Sequence, residues 1–206
     1  CKTNLHNRSL KTIKQNKKSL ANINAQLNLS SKFILCFDVS HISGSSSVGS
    51  SVYFDDNGFN KSNYRKYNIK NSKKSDDYGA LKEIIKRRLL KIDHYQDENI
   101  LIIVDGGKGQ ITQVKNVINN LHCKKISVIG IHKGLNRLTK NDRVLNSQKI
   151  DISSEINKEA LTLIQSIRDE AHRFAILNQR KRHNKLMFNS KLDGIPGIGN
   201  ERKKSI

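Results

Sequence analysis

The chain has no tryptophan, one proline and three cysteines among 206 residues, and its 18 acidic residues are outnumbered by 38 Lys and Arg. Each shortage excludes something. The cysteines, Cys1, Cys36 and Cys123, are odd in number, widely spaced and without a C-x-x-C pair. That argues against a disulfide framework or a cysteine zinc site and fits a reducing, cytoplasmic setting. No apolar run reaches the roughly 18 residues a membrane helix needs, and no charged-then-apolar leader is present. Aromatics, at 5%, are too sparse for a base-stacking platform. A soluble protein with no membrane partner is expected. What remains is 35% hydrophobic, enough at this length to bury a core. The start at Cys1 and the stop at Ile206, soon after a loop signal, suggest a segment of something longer.

The formal net charge of +20 is unevenly spread. Residues 1–32 hold seven Lys/Arg (Lys2, Arg8, Lys11, Lys14, Lys17, Lys18, Lys32) and no acid, and residues 178–206 hold eight basic residues against two acids. The 145 residues between them carry only +7. Solvated tails are one account of the basic ends. Contact with a phosphate backbone is the other.

Hydrophobic patterning gives the element order. Residues 8–28 read as a weak amphipathic helix. FILCFDV (33–39) is a buried strand interrupted by Asp38, Val48–Phe54 a second strand closed by Asp55-Asp56-Asn57-Gly58, and Ser62–Ile69 a third. A helix starts near Asp76 or Asp77, with Leu81, Ile85 and Leu89 on one face. NILIIV (99–104) is continuously apolar, as a strand covered on both faces must be, and runs into Asp105-Gly106-Gly107-Lys108-Gly109. A helix through Ile111, Val114, Val117, Ile118 and Leu121 follows, then a strand at 126–131, an unassigned stretch at 132–155 and a long helix over about 156–182. The expected fold is α/β: a ribonuclease H-like mixed five-stranded sheet flanked by helices. Residues 1–32 read as a basic helical linker, 33–185 as the domain, and 186–206 as the start of a further module.

In that arrangement the strands at 33 and 100 are parallel neighbours, so Asp38 and Asp105 converge near one sheet edge. Burying a carboxylate penalises its charged form, and a shared hard cation removes that difficulty. Oxygen ligands with open water positions suit Mg²⁺ or Mn²⁺, which activates water and neutralises phosphodiester charge. His172, at the border of an apolar helix face, suits metal ligation, water positioning or proton transfer. One of Asp76 and Asp77 caps a helix, leaving the other as an accessory acid. Lys108, Arg168 and Arg173 are candidate DNA contacts. The GGKG segment fits neither common nucleotide-binding glycine motif, so a nucleotide-binding domain is disfavoured. Ser40 lacks a nucleophile elbow, which discounts a hydrolase triad.

Phe37-Asp38-Val39-Ser40-His41 with Gly44, Lys61-Ser62-Asn63-Tyr64-Arg65, Asp76-Asp77-Tyr78, Val104 to Gln110 and Arg168 to Ile176 together resemble the C-terminal half of the UvrC family. That family supplies the nuclease of bacterial nucleotide excision repair. The resemblance runs from about residue 33 to the end. It implies a metal-dependent endonuclease that makes the 5′ incision beside a lesion in damaged double-stranded DNA, within a UvrB- and UvrA-dependent complex. It assigns catalytic roles to Asp38, Asp105 and His172 and a functional acid to Asp77. Ile195-Pro196-Gly197-Ile198-Gly199 resembles the hairpin of the family's helix-hairpin-helix DNA-binding module, with Gly197, Ile198 and Gly199 facing phosphates and the module incomplete at residue 206. The family's 3′-incision domain and UvrB-docking segment have no counterpart here. His132-Lys133-Gly134 replaces the usual Ala-Lys-Gly, and residues 138–155 match poorly. A catalytically lapsed DNA-binding or assembly module of the same fold is the alternative expectation.

Overall fold

A computed structural model describes residues 2–42, 45–69, 76–92, 96–132 and 142–193. The two most apolar segments form its centre. β1 (Phe33–Ile42) and β5 (Ile100–Asp105) are parallel neighbours, in register from Phe33 opposite Ile100 to Phe37 opposite Val104. β2 (Ser45–Asp55) pairs antiparallel with β1 on one side, and β6 (Ile126–His132) pairs parallel with β5 on the other. β7 (Arg143–Leu145) closes one edge against β6. At the opposite edge β3 (Gly58–Phe59) and β4 (Arg65–Asn68) both pair with β2. The sheet therefore has seven strands, in the order β3-β2-β1-β5-β6-β7 with β4 beside β2.

Seven strands replace the expected five for two local reasons. Gly58–Phe59 pair with β2 as the extra strand β3, and the strand expected over Ser62–Ile69 begins late, as β4, because a 3₁₀ turn at Lys61–Asn63 takes its first residues. There Ser62 Oγ donates to Asn60 Oδ1 at 2.6 Å and the Tyr64 N–H bonds the Lys61 carbonyl. Short polar side chains that bond locally compete with a sheet ladder in this way. β7 comes from the unassigned stretch: three residues are too few to show a period, but Val144 and Leu145 are both buried.

Strand alternation sends side chains to two helical layers. Phe33, Leu35, Phe37, Ile100, Ile102 and Val104 pack with buried residues of α2 (Asp77–Leu89) and α3 (Lys108–Asn120). Ile34, Cys36, Leu101 and Ile103 face the other way, against α1 (Lys2–Gln26) and α4 (Lys158–Asp193). Burial on both faces is why these strands read as unbroken apolar runs. Each fully buried Ile or Leu contributes roughly 2 kcal/mol.

α1 is more than a linker, because Leu20 and Ile23 are buried in the second layer. α4 presents Ala160, Ile164, Ile167, Ala171 and Ala175 to the sheet at helical spacing and runs unbroken past residue 185. Residues 195–199, expected to form a hairpin, lie outside the described residues, as do 133–141. Among the described residues no helix is long and apolar enough to cross a membrane.

Candidate active site

The register that makes the core also makes the site. Asp38 is the next residue in the row Ile34, Cys36, and Asp105 the next in the row Leu101, Ile103, so both follow the α4 face. Each strand thus ends its apolar row on a carboxylate. Asp105 is kept in place by a tight crossing: the Gly106 N–H bonds the Ile131 carbonyl at 2.8 Å. A Cβ on Gly130 would meet the Gly106 carbonyl oxygen at 2.6 Å, so only glycine admits this approach. Gln110 reaches back to the Gly107 N–H at 3.1 Å and starts α3.

α4 supplies the third group. His172 follows Ala171, which is fully buried on the sheet, so the imidazole emerges at the helix margin with its side chain 58% exposed. One ligand atom each from Asp38, Asp105 and His172 lie within 4.8 Å of one another. His172 Nδ1 is 3.9 Å from Asp38 Oδ2, too far for a direct hydrogen bond. Asp38 is 9% exposed, and its Oδ2 is buried without a hydrogen-bond partner among the described residues. Burial raises the Asp38 pKa; His172 opposes the rise and Asp105 adds to it. An orphaned buried carboxylate oxygen, a second carboxylate and an imidazole fit a divalent cation. Cys36, two residues before Asp38 in the same row, is fully buried, and that burial, reinforced by Asp105 and Asp38, pushes its thiol pKa well up.

The other expected residues divide. Asp76 is the α2 cap, accepting from the Gly79 N–H at 2.8 Å. Asp77 opens the helix exposed and is not in the three-residue cluster. Lys108 is exposed in the first turn of α3, three residues beyond Asp105. Arg173 is exposed but holds Glu170 through two bonds of 2.6 and 2.7 Å.

Arg168, expected as a DNA contact, is 3% exposed and donates to buried Asp142 at 2.6 Å and to Asp169 at 2.7 Å. In this structure its guanidinium is turned to these two carboxylates. Asp142, from the unassigned stretch, was missed because its partner is 26 residues away. The Tyr64 hydroxyl donates to Glu170 Oε1 at 3.0 Å and its ring meets Phe174 edge-on at 5.1 Å. This contact ties the Lys-Ser-Asn-Tyr-Arg segment to the helical turn that carries His172.

Comparison with known proteins places the chain in a family. The family model described as "UvrC RNAse H endonuclease domain" matches residues 24–176. UvrABC system protein C from Saccharophagus degradans is 40% identical over 174 residues, 84% of this chain and 28% of that protein. The protein of the same name from Nitrosococcus oceani is 41% identical over 84% of this chain and 29% of its own length. The chain thus spans little more than a quarter of these relatives. Among solved structures, human ENDOV superposes with a TM-score of 0.47 at 11% identity, covering 82% of this chain and 98% of that one.

Proposed function

Because this chain belongs to the UvrC family and carries its RNase H endonuclease domain, we propose that it hydrolyses phosphodiester bonds in damaged duplex DNA. The cut is the 5′ incision beside a lesion, made within a cytoplasmic complex with UvrB that UvrA helps assemble. The observation that carries this reading is the convergence of Asp38, Asp105 and His172 within 4.8 Å of one another, just past the last parallel pair of the two central strands.

Asp38 and Asp105 would hold the cation, Mg²⁺ or Mn²⁺. When bound there, such an ion supplies charge neutralisation at the scissile phosphate and a water of lowered pKa. The remaining work belongs to the chain. Asp38 and Asp105, fixed on the two central strands, would hold their carboxylates at one place relative to His172, where rigid placement is worth more than contact area. His172, with Nδ1 turned toward Asp38, has Nε2 left to take or give a proton at the reacting oxygens. Lys108 and Arg173, both exposed, hold backbone phosphates, and Asp77, exposed at the start of α2, is an accessory acid. Gly197, Ile198 and Gly199 extend the grip as part of the helix-hairpin-helix module.

The test is incision of a lesion-bearing duplex by the full-length protein together with UvrA and UvrB. Asp38→Asn and His172→Ala are each expected to reduce the 5′ incision at least 100-fold while leaving DNA binding intact. Undiminished 5′ incision in either variant rejects the assignment.

A further inference from the structure

Two buried serines are adjacent on β2, and their surroundings differ. Ser51, 0% exposed, faces α2 and α3, and its Oγ lies 3.3 Å from the Tyr67 hydroxyl. Ser50, also 0% exposed, faces the α4 layer in the row Val48, Ser50, Val52, Phe54, whose other members are apolar and buried. Its Oγ has no hydrogen-bond partner among the described residues. A hydroxyl in such a row is less favourable than Ala or Val unless something uses it.

The strand register puts an acceptor opposite it. Ser50 is paired directly with Asp38. Directly opposed residues of antiparallel strands project from the same face, with Cβ atoms about 5 Å apart. Asp38 Oδ2 is itself buried and unpartnered among the described residues. A side chain able to donate and one able to accept therefore stand on the same face of a single strand pair. The Ser50 hydroxyl can take any of three staggered positions about its Cα–Cβ bond. The other near neighbours do not serve: His172 Nδ1 is at 3.9 Å, and Val48 and Val52 carry no donor.

We propose that Ser50 is a positioning residue for Asp38: on binding of a divalent cation its hydroxyl donates to the Asp38 carboxylate and fixes the orientation in which that carboxylate meets the ion. The inference rests on the metal site argued above. A carboxylate oxygen engaged with a cation keeps a lone pair for a second partner, and such outer hydrogen bonds orient metal ligands. The bond forms with the ion rather than before it, which separates this role from ordinary packing.

The experiment uses the full chain and Ser50→Ala, with two measurements: the thermal midpoint in excess chelator and the Kd for Mn²⁺ by calorimetry. The midpoint is expected to be no lower than wild type, since no hydrogen bond of the ion-free protein is removed. The Kd is expected to rise about tenfold. A lowered midpoint in chelator or an unchanged Mn²⁺ affinity overturns the proposal. If wild type itself binds no Mn²⁺, the metal site fails and this role with it; if wild type and Ser50→Ala bind equally, only the Ser50 role fails.

Discussion

Asp38 is unfavourable to the fold for the same reason that it is useful to the site. Its side chain is 11% exposed, one oxygen lacks a partner among the described residues, and burial raises its pKa. A carboxyl whose folded pKa lies above its unfolded value favours the native state below the unfolded pKa, near 4. That contribution is lost as pH rises through the folded value. In chelator, Asp38→Asn is therefore expected to be more stable than wild type at neutral pH by about 1 kcal/mol, or a few degrees in Tm. The advantage should shrink as pH falls toward 4. Thermal unfolding between pH 4 and 7 measures it, and a variant less stable than wild type at pH 7 contradicts the argument. Asp38 was legible in the sequence because a charge inside FILCFDV stands out. Arg168 was not: in Arg-Asp-Glu-Ala-His-Arg it looks like one more surface charge, and only the fold reveals the partner that buries it.

At the scale of elements, the Arg168–Asp142 pair joins α4 to the start of β7, one turn before His172. Gln165 donates to the same Asp142 oxygen at 3.2 Å. Removing one member of a buried pair leaves the other charge without compensation, a loss of about 3–5 kcal/mol. Arg168→Met is expected to destabilise by that amount. Joint replacement by Arg168→Met and Asp142→Leu should recover most of it, as denaturant midpoints will show; equal loss in the single and double variants contradicts the pairing. The strands at 33 and 100 and the helices after Asp76 and Asp105 were readable because burial on two faces, or on one helical face, leaves a continuous or periodic apolar pattern. β3, β4 and β7 were not, because two to four residues carry no period and local side-chain bonds set their limits. For the site, the two aspartates and the histidine could be read from motif and topology. Ser50 could not, because a serine beside a valine row looks the same whether it is idle or poised.

The whole molecule combines a modestly charged domain with a strongly basic leading helix. Leu20 and Ile23 anchor α1 to the same layer that carries Asp38 and α4, while Lys11, Lys14, Lys17 and Lys18 are exposed on it. Chain charge that looked like an unattached tail is thus fixed to the body near the α4 face. If these lysines touch DNA phosphates, changing all four to Gln lowers affinity at low salt. It also flattens the slope of log K against log salt by about 0.9 for each phosphate that the variant leaves unneutralised. Fluorescence anisotropy with a damaged duplex from about 50 to 200 mM KCl reads this; an unchanged slope places α1 off the DNA.

The two-sided burial of β1 and β5 has a consequence in time as well as space. Amides of strands covered on both faces exchange with solvent only when much of the domain opens, whereas exposed helix margins open locally and often. Asp38 and Asp105 leave the first kind of backbone and His172 stands at the second kind of margin. The backbone that carries the two carboxylates therefore keeps the slow clock of global unfolding, while the helix margin that carries the imidazole opens on a faster one.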